Sequence, residues 1–321
     1  MIDDPVLLND WHPVASLAQL EATPVLGVRL LGEDIVVWCC GDDVFAWQDL
    51  CVHRGTRLSL GKAIGATLQC PYHGWTYGAD GKCMHMPAHP DQAPPDKARV
   101  KTYQAQVKYG LVWASLGTPM HDVACFAEWH DASYRSVLCG PYRLNASGPR
   151  IIENFLDVAH FPFVHAGILG DVAYPEIDDY EAEINDQGVE AKGVRVYQPD
   201  PYGTGIGDVV TYTYRALRPL TAYLLKEASQ TLAIQLMVTP HDQVDSTAWM
   251  VMAMNYSHEL PEAEFVAFQN RIFAQDKPIL QSQRPELLPL DLQAELHLKS
   301  DRAALAYRKW LGHLGLTTGA A

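Results

Sequence analysis

The chain has 321 residues, of which 48% are hydrophobic and 19% charged, so it can form one large or two medium domains with a substantial core. This composition excludes a disordered chain. The formal net charge of −14 makes nucleic acid and an anionic membrane surface poor partners, because both would repel an acidic protein.

The amino-terminal segment lacks the basic stretch and following apolar stretch of a signal peptide. No apolar run approaches the roughly 18 residues that a membrane-spanning helix requires. We therefore expect a cytoplasmic protein, whose cysteines stay reduced. The seven cysteines are odd in number and irregularly spaced, so the sequence favours metal ligation over a disulfide framework.

The first third of the chain is typical of short strands separated by glycine- and aspartate-rich turns. We predict strands over residues 27–31, 35–39, 44–48, 67–70, 75–77 and 111–115. This pattern stops at the glycine and proline of residues 116–119. The sequence therefore predicts an all-β domain over residues 1–119 and a second domain over 120–321.

The second domain combines long strands with helices. We predict a helix over 150–157, strands over 180–184, 193–197, 209–216, 230–238 and 247–255, and helices over 261–282 and 301–314. Helices that flank the strands, instead of alternating with them, indicate an α+β fold around an antiparallel sheet.

Two short motifs in the first domain each pair a thiolate with an imidazole. Cys51-x-His53 and Cys70-x-x-His73 are separated by sixteen residues, and each lies in a loop with a glycine. Two cysteines on one iron and two histidines on the other are the ligands of a [2Fe–2S] cluster of the mixed-ligand type. A Cys₂His₂ zinc site is the alternative, although zinc sites more often pair cysteine with cysteine and histidine with histidine.

A second constellation follows in the segment NFLDVAHFPFVH, which contains Asn154, Asp157, His160 and His165. On the predicted helix Asp157 and His160 would share a face. His160 and His165 would point about 140° apart on an ideal helix. We expect Pro162 to end or distort the helix, so that the two imidazoles converge. Two histidines and one carboxylate would form the facial triad of an iron(II) oxygenase.

The spacing of the motif does not identify the carboxylate of this triad, because it can come from any downstream position. Physical reasoning leaves four candidates, which are Glu264, Asp276, Asp291 and Glu295.

The stretches WQDLCVHRGTRLSLG, LQCPYHGWTYGADGKC, ENFLDVAHFPFVH and ELHLKSDRAALAYRKWL resemble the terminal (α) subunits of Rieske non-haem iron oxygenases. The resemblance covers essentially the whole chain. Within the family the sequence is similar to the monooxygenase-type branch, which includes vanillate and dicamba O-demethylases, caffeine N-demethylases and saxitoxin-pathway hydroxylases. The resemblance implies an N-terminal Rieske domain followed by a helix-grip catalytic domain.

The resemblance also implies a role for each site residue. The cluster ligands would be Cys51, His53, Cys70 and His73. The mononuclear iron would be held by His160, His165 and Asp276, the last of these in AQDKPILQSQRP, where Pro278 is unusual for the middle of a helix.

Two further residues match the family's motif. Asp157 matches a carboxylate that links a cluster histidine of one subunit to an iron ligand of its neighbour, which implies a homotrimer. Asn154 matches a residue near the iron. A carboxylate that accepts from the outer nitrogen of an iron-bound imidazole would also fix its tautomer.

The expected activity is O₂-dependent hydroxylation, or O- or N-demethylation, of a small organic substrate. Electrons would come from a separate reductase or ferredoxin, since the chain contains no G-x-G-x-x-G nucleotide fingerprint. Two alternatives remain: an aromatic-ring dioxygenase or diaryl-ether-cleaving oxygenase, and, from another class, a non-catalytic Rieske electron-transfer protein.

Overall fold

The computed structural model describes residues 2–227 and 230–321. It divides into two compact units, one that ends at Val123 and one that begins at Ala124. Each unit is built around antiparallel sheets, so the predicted α+β class is confirmed. The assignment of residues 1–119 and 120–321 to separate functional domains stays a prediction.

The first unit contains two sheets and two very short helices. Its elements are α1 (Pro5–Leu8), β1 (His12–Ser16), α2 (Leu17–Ala22), β2 (Val25–Leu30), β3 (Glu33–Cys40), β4 (Asp43–Gln48), β5 (Lys62–Ile64), β6 (Thr67–Gln69), β7 (Thr76–Gly78), β8 (Cys83–His85), β9 (Thr102–Lys108) and β10 (Leu111–Ser115). The larger sheet has the order β1-β10-β9-β4-β3-β2, and the smaller one has the order β5-β6-β7-β8.

The core of this unit anchors the cysteine loops. Trp38 and Trp47 lie on the paired strands β3 and β4 and meet edge to face at 5.0 Å between ring centroids. Both belong to the buried cluster that also contains Cys51 and Cys70. Tight packing around the two cysteines therefore fixes the loops that carry the first motif.

The second unit has one seven-stranded sheet. Its elements are β11 (Arg135–Leu144), α3 (Gly148–Leu156), α4 (Phe161–Val164), β12 (Glu181–Asn185), β13 (Gly188–Gln198), β14 (Asp208–Arg218), β15 (Thr221–Glu227), β16 (Leu232–Pro240), β17 (Ser246–Met254), α5 (Glu262–Ser282) and α6 (Arg302–Leu314). The strand order is β11-β17-β16-β15-β14-β13-β12, and every neighbouring pair is antiparallel.

Helix α5 packs on one end of this sheet. Tyr142 of β11 stacks on Phe273 of α5 at 4.2 Å between ring centroids, and its hydroxyl donates to Oδ1 of Asn270 at 2.7 Å. Every residue of β17 is buried, as expected for an inner strand that is covered on both faces. The space between the sheet and α5 becomes the cavity described below.

Two strands of the second unit were not predicted. In β11 a register shift between Cys139 and Tyr142 interrupts the alternation that identifies a strand. In β15 the sequence TAYLLKE has no period-two pattern, and its alanine and leucines favour helix by propensity. Pairing with β14 and β16 decides the conformation of β15.

Candidate metal centres

The two cysteine loops of the first unit have the same backbone geometry. In each loop the cysteine N–H donates to the carbonyl five residues later, and a glycine N–H donates back to the cysteine carbonyl, at 2.8–3.1 Å. These glycines, Gly55 and Gly74, have φ values of +73° and +69°. Only glycine adopts this region readily, so both turns depend on it.

The loops bring the four side chains of the first motif together as two pairs. The Cys51 and Cys70 side chains are buried, and the imidazole centroids of His53 and His73 lie 4.5 Å apart. Trp75 stacks on His53 at 4.4 Å and holds its ring. The buried Nδ1 atom of His53 has no hydrogen-bond partner, which is the expected state of a nitrogen that serves as a metal ligand.

The arrangement of these four side chains distinguishes a [2Fe–2S] cluster from a zinc site. A tetrahedral zinc ion requires donor atoms roughly 3.3–3.8 Å apart. Within residues 2–227 and 230–321, no three of these four side chains have ligand atoms that all lie within 4.8 Å of one another. One ion therefore cannot bind all four as they are arranged, whereas a two-iron cluster binds the cysteines and the histidines on different irons.

In the second unit, α3 ends one residue before Asp157. Ser147 caps the amino-terminal end of this helix, and Asp157 has extended backbone angles (φ −89°, ψ 137°). The prediction that Asp157 and His160 share a helix face is therefore wrong. The Asp157 carboxylate instead accepts from the N–H of Ala159 at 2.9 Å, a local bond that stabilises the turn after the helix.

His160 and His165 lie at the two ends of the four-residue helix α4, one as its N-cap and the other as its C-cap. Pro162 is in the first turn of this new helix, where its missing N–H costs nothing. The expectation that Pro162 ends the preceding helix is thus wrong in detail, because α3 has already ended. The expected convergence does occur, with ring centroids 5.1 Å apart.

Asp276 of α5 completes this group. Its Oδ1 lies 3.1 Å from Nε2 of His165 and 3.6 Å from Nε2 of His160. Among the described residues these three form the one group of three or more candidate ligands within 4.8 Å of one another. Asp276 is 8% exposed, and its buried Oδ1 has no aligned hydrogen-bond donor. Two imidazoles and an unsatisfied carboxylate oxygen fit an iron(II) ion.

Helix α5 continues through Pro278 to Ser282, so the proline does not end the helix that carries Asp276. The other three carboxylate candidates lie outside the group. Glu295 is paired with Arg150 and Arg308, at 2.7 Å and 2.5 Å. The carboxylates of Glu264 and Asp291 likewise lie outside it.

The outer nitrogen of each imidazole also has a partner. Nδ1 of His160 lies 2.9 Å from Oδ2 of Asp157, and Nδ1 of His165 lies 2.9 Å from Oε1 of Gln275. With Nδ1 protonated, both rings donate to these oxygens and direct Nε2 towards Asp276. Gln275 was not predicted; its only signal in the sequence is its position next to Asp276.

Burial disfavours the charged form of His165, but the nearby Asp276 carboxylate outweighs this effect and raises the pKa of His165. The same carboxylate favours a metal cation, which would displace that proton.

A cavity in the second unit opens on this group. Its walls come from α3, α4, α5 and the sheet and are mainly apolar, with aromatic rings and thioethers from Phe155, Phe161, Phe268, Phe273, Met250 and Met252. Outside the group the polar lining residues are Asn154, Gln269, Tyr212 and Tyr214. Among the described lining residues there is no lysine or arginine.

Two known domain families match different parts of the chain. Residues 10–104 match the Rieske [2Fe-2S] domain, and residues 144–316 match the vanillate O-demethylase oxygenase C-terminal domain. The chain belongs to the Rieske non-haem iron oxygenases. It is a terminal oxygenase of the demethylase branch, with a [2Fe–2S] cluster and a mononuclear iron as its cofactors.

Three relatives of this Rieske oxygenase are informative. Methylxanthine N1-demethylase NdmA of Pseudomonas putida is 33% identical, and the alignment covers 96% of this chain and 89% of NdmA. The structure of NdmA with caffeine superposes with a TM-score of 0.84 at 32% identity, over 96% of this chain and 90% of that one.

The other two relatives match at lower identity or over a shorter length. Dicamba monooxygenase bound to dicamba is 20% identical with a TM-score of 0.81, over 96% of this chain and 97% of that one, and shares the fold. A segment of 116 residues is 43% identical to Oxidoreductase NdmD of Pseudomonas putida, covering 35% of this chain and 19% of NdmD. Within the described residues, no helix is both long and apolar enough to cross a membrane.

Proposed function

We propose that this Rieske oxygenase N-demethylates a small, uncharged, planar heterocycle. The methyl group leaves as formaldehyde: R₂N–CH₃, O₂, two electrons and two protons give R₂N–H, formaldehyde and water. The observation that carries the proposal is the cavity, whose walls combine aromatic rings with two amide side chains and, in the described lining, no lysine or arginine. NdmA, a methylxanthine demethylase, is consistent with such a substrate.

The mononuclear iron would be bound by His160, His165 and Asp276, and the cluster by Cys51, His53, Cys70 and His73. The convergence of three donors and the separation of the other four into pairs support these two assignments. The iron supplies O₂ binding and activation when it is bound. The protein's part is to hold the donors in place and to exclude water from the apolar cavity.

Each polar residue of the cavity has a proposed task. Asn154 and Gln269 would hydrogen-bond the carbonyl or ring-nitrogen acceptors of the substrate, because amides can both donate and accept. The rings of Phe155 and Phe268 would contact the substrate plane. A substrate carboxylate would find no cation in the described lining, so it would be bound poorly.

Asp157 would carry the electron path between subunits. Its side chain is 32% exposed while Oδ2 contacts Nδ1 of His160, so the carboxylate can reach a second group from outside. The family resemblance implies that this group is a cluster histidine of a neighbouring chain in a homotrimer. Asp157 would thus both fix the His160 tautomer and connect the two metal centres.

Electrons would enter from a separate reductase in the cytoplasm. The lack of a G-x-G-x-x-G fingerprint and the partial match to Oxidoreductase NdmD support this source.

The test is turnover of the trimeric holoenzyme with a surrogate reductase and NADH. A panel of N-methylated neutral heterocycles is compared with methoxybenzoates, and O₂ uptake and formaldehyde are measured together. We expect about one formaldehyde per O₂ with a heterocycle and little with the benzoates. A cis-diol product without formaldehyde would support the dioxygenase alternative. Iron-loaded enzyme with no substrate-stimulated O₂ uptake across the panel would support the electron-transfer alternative.

A further inference from the structure

One row of side chains crosses the wall of the cavity that the sheet supplies. Its members are paired across four neighbouring strands: Tyr214 of β14, Leu224 of β15, Ile234 of β16 and Met252 of β17. Residues that lie directly opposite each other share a face of the sheet, and all four line the cavity. Three of these side chains are aliphatic or thioether groups, whereas Tyr214 brings a hydroxyl into the row.

The hydroxyl of Tyr214 is buried and unsatisfied. The residue is 1% exposed, and within residues 2–227 and 230–321 its oxygen has no hydrogen-bond partner. A buried hydroxyl without a partner destabilises the folded chain, and a phenylalanine would pack in the same place without this cost. An orphaned group of this kind requires an explanation, and a bound molecule that supplies the partner is one.

The neighbouring tyrosine of the same wall has a different environment. Tyr212 lies two residues before Tyr214 on β14, also lines the cavity, and its ring centroid is 5.6 Å from that of Tyr214. The Tyr212 hydroxyl accepts from Nε2 of Gln198 at 2.9 Å. The protein therefore satisfies the hydroxyl of Tyr212 itself, whereas a ligand in the cavity is the partner that remains for Tyr214.

The Tyr214 ring lies beside the helix that supplies other proposed substrate contacts. Phe155 of α3 meets it edge to face at 6.0 Å between ring centroids, and Phe155 directly follows Asn154. Burial, with smaller contributions from a nearby carboxyl group and two other phenols, raises the pKa of the Tyr214 hydroxyl well above its ordinary value. The phenol therefore stays protonated and can donate a hydrogen bond.

We propose that Tyr214 is a specificity-determining residue whose hydroxyl donates a hydrogen bond to an acceptor atom of the heterocycle, either a carbonyl oxygen or a ring nitrogen. This inference rests on the proposed function and adds an acceptor requirement to it. A substrate with the acceptor satisfies the hydroxyl. A substrate without it leaves the hydroxyl buried against an apolar edge, so it binds less tightly.

The test is ligand binding to the reduced holoenzyme without O₂, measured by isothermal titration calorimetry. The probes are three neutral N-methyl bicycles of similar size: 1-methylindole has no such acceptor, 1-methylindazole has a ring nitrogen, and 1-methyloxindole has a carbonyl. In wild type at least one acceptor-bearing probe should bind about tenfold more tightly than 1-methylindole, and the two show which acceptor is used. In Tyr214→Phe this preference should fall to about twofold or less. No preference in wild type, or the same preference in both proteins, would overturn the proposal.

Tyr223→Phe is the matched control. Tyr223 of β15 is also buried, but its hydroxyl donates to Oε1 of Glu128 at 2.6 Å, and it is not among the described residues that line the cavity. This variant should keep the wild-type preference and lower the urea midpoint of the free enzyme. Tyr214→Phe should not lower that midpoint, since it removes an unsatisfied group. A lower midpoint or a failure to fold would show that the protein itself satisfies the Tyr214 hydroxyl and would overturn the proposal.

Binding and turnover distinguish this inference from the proposed function. If the acceptor-bearing probes bind as expected and no formaldehyde forms across the substrate panel, the proposed function is wrong and the role of Tyr214 stands. If formaldehyde forms and Tyr214→Phe leaves the binding preference unchanged, the role of Tyr214 is wrong and the proposed function stands.

Discussion

Oε1 of Gln275 lies 2.9 Å from Nδ1 of His165, while Oδ1 of the next residue, Asp276, lies 3.1 Å from Nε2 of the same ring. Two consecutive residues of α5 therefore face the two nitrogens of one imidazole. The helix thus positions the proposed ligand Asp276 and also fixes the orientation of the proposed ligand His165.

Gln275→Leu should weaken iron binding at the mononuclear site about 10- to 100-fold, because the His165 ring loses the acceptor that fixes its tautomer. Iron retention in the presence of a chelator, together with the visible spectrum of the cluster, measures this effect. The cluster spectrum should not change. Gln275→Glu keeps an acceptor oxygen and is the matched control; equal iron retention in both variants would contradict the role of this bond.

Two alanine variants should separate the metal centres. His160→Ala should abolish turnover and leave the visible spectrum of the cluster intact, because His160 lies beside Asp276 in the group proposed to bind the mononuclear iron. His53→Ala should remove that spectrum, because it deletes a proposed ligand of the cluster. Iron and sulfide analysis with absorption spectroscopy measures both outcomes. Normal turnover of His160→Ala would refute its assignment as a ligand.

Arg308→Met should destabilise the second unit by about 3 kcal/mol, because it leaves the buried Glu153 and the half-buried Glu295 with fewer partners. Arg308 is 3% exposed and donates to both Glu153 and Glu295. Urea unfolding measures the change. Arg195→Met breaks an exposed ion pair with Asp178 and should cost less than about 1 kcal/mol; equal losses would show that the buried network adds nothing.

Lys226 of β15, which is buried, should make stability depend on pH. Its folded-state pKa of about 8 lies below the ordinary value of 10.5, so the unfolded chain binds more protons between these values and the free energy of unfolding rises with pH. Between pH 8 and 9.5 wild type should gain about 1.5 kcal/mol relative to Lys226→Met. Urea unfolding of both proteins at several pH values in this window measures the difference. If the free energies of unfolding of the two proteins change equally with pH, the pKa of Lys226 is not lowered in the folded protein.

Much of this protein was predictable from local sequence. The proposed cluster residues follow from two short motifs, since each loop is closed by bonds within five or six residues, and its glycine is visible in the sequence. The convergence of His160 and His165 was expected from Pro162 and not from their spacing, and the two residues lie at the two ends of one four-residue helix.

Other features required the tertiary structure. Asp276 could not be separated from Glu295 by spacing, because the choice depends on which carboxylate a distant helix brings to the histidines and which one two arginines already neutralise. Lys226 looks like any strand lysine until the tertiary structure shows it buried, with Nζ donating to the carbonyl of Pro201. Hydrogen bonds between residues near each other in sequence are determined by the local sequence, whereas contacts between distant residues depend on how the whole chain folds.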